Sequence, residues 1–361
     1  MRITTVEATS HYVPWEFPLR GDGHTHIVVT RIETDEGLVG HGFNRGSDHV
    51  AIRQYLNHRC APEVLGEDPR NNERLWHRLL WKFNQRIRTG VAAEAICAID
   101  MALWDIRAQA AGMPLYQLLG GARDRVPVYS TFGMPSYDRD ELVEVARLKV
   151  GSGHNALKMV VADRGAQDIP EDIRRVQAVR EAVGPDVALA VDANCLLDYQ
   201  DAVRLARRIE QFDIAWFEEP VHNNEPHLLA RLREATTIPI SSGQCESFRW
   251  DFRELMARDA LDLVQVDVGY VGGYTEGLKV AALAQAFHLK ITSHGWPLMV
   301  MHLIAGIDNG KAVEYHLRPE GVDRSIFTSV PEPAEGWVDL PRGPGIGVEV
   351  DEDFLQESLV P

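Results

Sequence analysis

The sequence predicts an α/β protein, a closed parallel barrel preceded by a smaller α+β domain. Three observations predict it. From Val126 onward, eight short β-branched or aromatic runs alternate with helical segments. Asp192, Glu218 and Gln244 close three of those runs (VALAVDAN, IAWFEEP, IPISSGQ) at an even spacing of 26 residues, about the length of one strand plus its crossover. Ahead of Val126 the pattern is a meander followed by helices, and no Gly-rich phosphate fingerprint opens the series. With 361 residues and 45% hydrophobic content, the chain is long enough to bury both units.

Taken in order, Ile3 to Val6 and His26 to Glu33 read as strands, separated by an irregular segment, WEFPLRGDGHT, whose Pro and Gly break regular structure. The turn TDEG leads into LVGHGF, and helical periodicity starts near Asp48. The clearest helix runs from Ala92 to Gly112, with Ile96, Ile99, Leu103 and Ile106 on one stripe and Gly112 placed to end it. Beyond Arg125 the strands are VPVYSTF, ALKMVV, VALAVDA, IAWFEE, IPISSG, LDLVQVD, LKITSH and AVEYH. After about Ser329 the alternation gives way to a Pro- and Gly-rich tail that should run over another surface. The expected division is a capping domain over 1–125, joined by the tail 330–361, and a barrel over 126–329.

A formal net charge of −16 argues against a nucleic-acid or anionic-membrane partner, since both need a basic footprint. The four cysteines (Cys60, Cys97, Cys195, Cys245) show no CxxC spacing, which fits a reduced cytoplasm, and Cys245 is expected to pack. The N-terminus lacks the form of a signal peptide, and no apolar stretch reaches the roughly 18–20 residues of a membrane span.

The C-terminal strand ends are where barrels carry their chemistry. Two acids and an amide meeting there are hard oxygen ligands suited to Mg²⁺, although a carboxylate at a strand end can also simply cap the next helix. Glu246, two residues beyond Gln244, is the substitute third ligand. Asp267 ends the sixth barrel strand and His294 the seventh, so the acid can fix the imidazole tautomer and make His294 a general base. Glu314, on the eighth strand, is either a neutral donor to a developing oxyanion or a solvated or salt-bridged acid. Lys158, on the second, either meets a substrate carboxylate, acts as acid/base, or reaches out to solvent.

The order Lys158, Asp192, Glu218, Gln244, Asp267, His294, Glu314, together with AIDMALWDIRAQAAGMPLYQLLGG, VDAN, WFEEP and VDVGYVGG, resembles the enolase superfamily, specifically its mandelate racemase subgroup. The resemblance implies a (β/α)₇β barrel under an α+β cap. It implies Mg²⁺ on Asp192, Glu218 and position 244, a His294–Asp267 base dyad and an electrophilic acid at Glu314. It also implies a homo-oligomer, dimer or octamer. Two departures matter. Position 244 is Gln where the family usually carries Glu or Asp, and the family's Lys-x-Lys is here Lys158-Met159-Val160.

A racemase working by direct proton transfer needs groups on both faces of the acidic carbon, and here an apolar valine faces the histidine. One histidine suffices for dehydration, and the chain resembles single-base acid-sugar dehydratases such as rhamnonate dehydratase. The expected reaction is loss of water from an aldonate or aldarate to give a 2-keto-3-deoxy acid. The alternatives are an epimerase or cycloisomerase, and a sugar-acid binder whose metal site has decayed at Gln244. The resemblance also places Trp15, Arg20, His24, His26, Asn44 and Arg45 on cap loops over the mouth, as substrate contacts or as ordinary loop residues.

Overall fold

The computed structural model describes residues 1–46, 48–83, 89–162 and 168–361. Eight parallel strands close a barrel: β4 (Arg125–Gly133), β5 (Ala156–Val160), β6 (Ala188–Asp192), β7 (Ile214–Glu218), β8 (Ile240–Ser242), β9 (Leu263–Val266), β10 (Lys290–Ser293) and β11 (Gly310–His316). Closure is direct, since β11 pairs in parallel with β4. A separate antiparallel sheet holds β1 (Ile3–Phe17), β2 (Gly21–Thr34) and β3 (Val39–Arg45), with the chain end β13 (Leu359–Val360) against β1. The remaining strand, β12 (Trp337–Asp339), pairs antiparallel with β4. The tail therefore touches both sheets.

Helices α1 (His49–Tyr55), α2 (Ala61–Val64) and α4 (Val91–Ala110) pack on the cap sheet, α3 (Asn72–Phe83) packs on α4, and the short α5 (Leu115–Leu118) leads to the barrel. Around the barrel follow α6 (Arg139–Gly151), α7 (Ile169–Val183), α8 (Tyr199–Ile209), α9 (Pro226–Ala235), α10 (Phe248–Ala257), α11 (Gly273–Ala286), α12 (Pro297–Gly306) and α13 (Leu317–Ile326), with α14 (Glu352–Glu357) in the tail. Asp138 and Asp198 start α6 and α8 by accepting the backbone N–H three residues on.

Two elements differ from the sequence expectation. The segment WEFPLRGDGHT is not irregular: it forms the tip of one long hairpin, in register from Ser10↔Val28 to Phe17↔Gly21. Pro14 is tolerated because β13 pairs with β1 only at Ser10 and His11, so its missing N–H removes no ladder bond on that edge. Helix α12 (PLMVMHLIAG) is not legible in the sequence because all ten residues are buried, so it has no polar face to give a period.

The cap is held over the barrel by specific contacts. Gly42 of β3 lies directly on α4, where any side chain would collide with the Ala98 carbonyl. Asp100 of α4 accepts from the Thr275 hydroxyl and backbone N–H of α11, and Trp104 donates to the same hydroxyl at 2.9 Å. Burial pushes the Asp100 carboxyl up to about 7. These bonds fix α4, with β3 packed on it, against the start of α11.

Candidate active site

Period-two alternation decides what faces the barrel axis. Below the mouth Tyr129, Ala190, Trp216 and Leu263 form a buried plug. One step higher, the same faces present Thr131, Lys158, Asp192, Glu218 and Glu314. Lys158, 1% exposed, therefore has nowhere to reach but across the axis. Its ammonium pairs with Glu218, lies 3.2 Å from Asp192 and 3.1 Å from Glu314, and sits over the Tyr129 ring. Burial alone would lower its pKa, but the three carboxylates outweigh burial and hold it well above the ordinary lysine value. The solvent-reaching alternative is thus excluded.

Glu314 carries the opposite lesson. Burial would raise its carboxyl, yet the Lys158 ammonium beside it, with a Thr131 hydrogen bond, holds it below the usual range. Its second oxygen accepts from the Gly295 N–H at 3.2 Å. Beside Lys158 it is a salt-bridged carboxylate acceptor, the second of the two sequence readings rather than the neutral donor. Glu218 is pushed the other way, up, by burial and by Asp192 beside it, and it accepts from the Trp216 indole at 2.9 Å.

Do these residues fit a divalent cation? Three carboxylates meet one ammonium, which leaves two formal negative charges on buried oxygens. Gln244 is 5% exposed, and its Oε1 finds no donor among the described residues. All the candidate donors are hard oxygens, so the set fits Mg²⁺. Among the described residues no three His, Cys, Asp or Glu side chains form a metal cluster. Glu246 has one carboxylate oxygen engaged and one, like Gln244 Oε1, buried with no donor among the described residues. Its Oε1 accepts from Asn224 at 3.0 Å, and burial with Glu219 nearby pushes its carboxyl up to about 8.

His294 follows β10 and Asp267 follows β9. The imidazole Nδ1 lies 2.8 Å from Asp267 Oδ2, while Oδ1 accepts from the Gly269 N–H at 2.7 Å. Asp267 is 3% exposed and acceptor-only, so the imidazole proton sits on Nδ1 and Nε2 keeps its lone pair. Gly295 has φ +98°, and any Cβ there would collide with the Asp267 carboxylate. Arg45, from the end of β3, brings a guanidinium N–H to 3.3 Å from His294 Nε2 and 3.6 Å from Asp267 Oδ2. Of the six cap residues named from sequence, Arg45 is the one that touches the dyad.

The others are placed differently. Arg20 forms an ion pair with Glu141 of α6 and donates to the Ser136 carbonyl, so it clamps the hairpin tip to the barrel. His24 and His26 lie on the wrong face of the sheet. Strand register puts them beside Tyr12, with His26 stacked 4.2 Å from His49 of α1, while Val13 and Phe43 face the barrel residues. Asn44 donates to the Glu94 carbonyl. Trp15 turns toward α13, under the Arg318 guanidinium. Cys245 is exposed rather than packed, and all four cysteines are free.

Sequence reasoning missed His316, which stands two residues beyond Glu314 and so shares its face of β11. Its Nδ1 accepts from the Arg318 N–H at 3.2 Å, and burial first, with the nearby cations, pushes it down to about 3. It is a neutral imidazole whose proton sits on Nε2. The i, i+2 spacing from Glu314 was the available signal. Glu219 and Asn224 were missed too, and no local pattern distinguished them.

Two family models match the chain. One is described as the mandelate racemase / muconate lactonizing enzyme N-terminal domain, over residues 1–120, and the other as enolase C-terminal domain-like, over 141–354. Arabinonate dehydratase of Saccharolobus solfataricus is 34% identical over 92% of this chain and 90% of its own length. The 3,6-anhydro-α-L-galactonate cycloisomerase of Streptomyces coelicolor is 33% identical over 92% and 91%. A racemase from Streptomyces coelicolor, solved with bound magnesium, superposes with a TM-score of 0.92 at 30% identity, over 99% of this chain and all of its own. Among the described residues no helix is long and apolar enough to cross a membrane. The chain belongs to the mandelate racemase / muconate lactonizing enzyme family of enolase-like proteins.

Proposed function

We propose that this chain is a Mg²⁺-dependent hydro-lyase that removes water from a sugar acid. The carrying observation is the one-sidedness of the site. An oriented His294–Asp267 dyad stands on one side of the mouth, and Val160 occupies the place of a second base on the other.

His294 Nε2 takes the proton α to the substrate carboxylate, and the imidazolium that forms is stabilised by Asp267, 2.8 Å away. A Mg²⁺ held by Asp192, Glu218 and Gln244 would supply Lewis-acid charge for the enediolate oxygens. Lys158 adds a fixed buried cation to the same place, prearranged and therefore without reorganisation during reaction. The β-hydroxyl then leaves as water, carrying the proton that His294 returns to it, and the enol tautomerises to a 2-keto-3-deoxy acid. Arg45 and the neutral His316 offer donors to substrate oxygens beside the base. Similarity to an arabinonate dehydratase supports this reading.

A second reading is cycloisomerisation through the same enediolate, supported by the similarity to an anhydrogalactonate cycloisomerase. A screen of aldonic and aldaric acids with Mg²⁺, read as semicarbazones of a 2-keto-3-deoxy product, tests the first. His294→Asn should abolish turnover while leaving Mg²⁺ binding intact, and an active variant would overturn the base assignment. Exchange of the α-proton into deuterated water without a keto product would favour the second.

A further inference from the structure

The first turn of α13 carries Arg318, a cation at the barrel mouth that the reaction above leaves unused. The strand before it sets its place. Glu314 and His316 share one face of β11, and two residues of strand rise about 6–7 Å, so His316 stands that far above the level of Glu314 and Lys158. The Arg318 N–H donates back to His316 Nδ1 at 3.2 Å, and its guanidinium carbon lies 5.6 Å from the centre of the Trp15 ring. Trp15 is itself seated on α13, where a side chain at Gly321 would collide with its Cβ. A guanidinium stacked on an aromatic face keeps its N–H edge free for an acceptor in its own plane.

No acid of the protein meets that edge. Burial and the nearby Arg45 guanidinium lower the Arg318 pKa, and among the described residues no carboxylate offsets them. The side chain is nonetheless exposed, as a group that meets a ligand must be. Arg45 is no better neutralised. One of its nitrogens lies 3.4 Å from His294 Nδ1 and 3.3 Å from Nε2. A donor bonded in the ring plane would be much nearer to one of the two, so the cation covers the ring face and leaves the Nε2 lone pair open. The carboxylate within reach of Arg45 is Asp267, at 3.6 Å, which already accepts from His294 and from the Gly269 N–H. Glu94, on the same side, is pushed up to about 7 by burial and by Asp267, so it offsets Arg45 only in part.

Two guanidinium groups thus share one rim without carboxylates to match them. Like charges so placed repel until an anion joins them, and the planar forks of arginine suit a carboxylate. We infer that Arg318, with Arg45, holds a second carboxylate of the substrate at the end away from the metal site, so that the site takes an aldarate in preference to an aldonate. The inference rests on the sugar-acid reading given above and chooses between its two substrate classes. The height fits, because the first carboxylate belongs at the level of Lys158, and the rim stands above it by a length comparable with an extended sugar acid.

Binding is measured by titration calorimetry on full-length protein with Mg²⁺, in the His294→Asn background so that no acid is consumed. The probes are stereochemically matched pairs of six-carbon acids whose last carbon is either a carboxylate or a hydroxymethyl group. At least one dicarboxylate should bind about tenfold more tightly than its partner, the scale of one charge-assisted contact. Adding Arg318→Met, which keeps an apolar contact with Trp15 and removes the charge, should shrink that preference to within about threefold, with the fold checked by melting temperature. Equal binding within every pair, a preference for the monocarboxylates, or a dicarboxylate preference that survives Arg318→Met would overturn the inference. Dehydration is read separately on the wild type. Turnover of monocarboxylates alone would overturn the inference and leave the proposed reaction standing. A dicarboxylate preference lost in Arg318→Met, with no keto product from any acid, would overturn the reaction and leave the anion site standing. Failure of every acid to bind would overturn both.

Discussion

Replacing Asp267 by asparagine should disable the base without displacing it. The Gly269 N–H fixes one carboxylate oxygen at 2.7 Å, so the carbonyl of the new amide must stay there and its NH₂ must turn to His294. Nδ1 then accepts, the imidazole proton moves to Nε2, and the lone pair that should take the α-proton is gone. Two costs follow. Restoring the productive tautomer leaves a donor facing a donor, about 1–3 kcal/mol. The imidazolium also loses a carboxylate 2.8 Å away, an attraction of about 6 kcal/mol at an effective dielectric of about 20. Partial exposure of His294 and the remaining dipole of the amide reduce the second figure, so a total of about 4–5 kcal/mol is expected. That is a fall of roughly 10³–10⁴-fold in kcat. KM should change little. Steady-state rates on whichever acid the screen identifies give kcat, and ¹⁵N spectra of labelled imidazole report the tautomer. A variant within tenfold of wild type, or one with the proton still on Nδ1, would refute the reasoning.

Gly295→Ala should act on the same dyad from the other side. Its Cβ would meet the Asp267 carboxylate at a backbone angle unsuited to alanine, so kcat should fall and the protein lose about 1–3 kcal/mol in denaturant unfolding. Arg45→Met should lower kcat/KM strongly, whereas Arg20→Met should lower the melting temperature and leave KM nearly unchanged, because Arg20 is engaged by Glu141 and the Ser136 carbonyl. Asp323 is pushed up to about 8 by burial, so between its unfolded value near 3.8 and about 8 the folded state holds a proton that the unfolded state has lost. Stability from this group therefore falls as pH rises through that window. Asp323→Asn should melt higher than wild type at pH 8 and match it at pH 4, and the same gap at both would count against the assignment.

Much of the site was legible because strand ends carry their chemistry in chain order. Asp192, Glu218, Asp267, His294 and Glu314 each lie at or next to the end of an apolar run, and alternation along a strand is a covalent property that sequence displays directly. What sequence could not display was the environment of each group. Lys158 read as a lysine free to meet solvent or substrate, but where it points depends on β6, β7 and β11 meeting β5 across the axis. Glu314 read as a candidate neutral donor, and its charge is set by that same lysine. His24 and His26 looked like loop residues over the mouth. They lie in a strand, and its pairing with β1 turns them to the far face.

The sequence by itself determined the barrel, the residues at its rim and the valine at position 160, since each follows from period, spacing and residue type along one stretch of chain. The tertiary structure alone decided which side chains meet. Lys158 became a buried cation among three acids, Arg20 a clamp, and Gln244 a hydrogen-bond donor to Glu219. The physical reason is that hydrogen bonds and burial act between atoms a few ångströms apart, whatever the number of residues between them, and only closure of the barrel under its cap sets those distances.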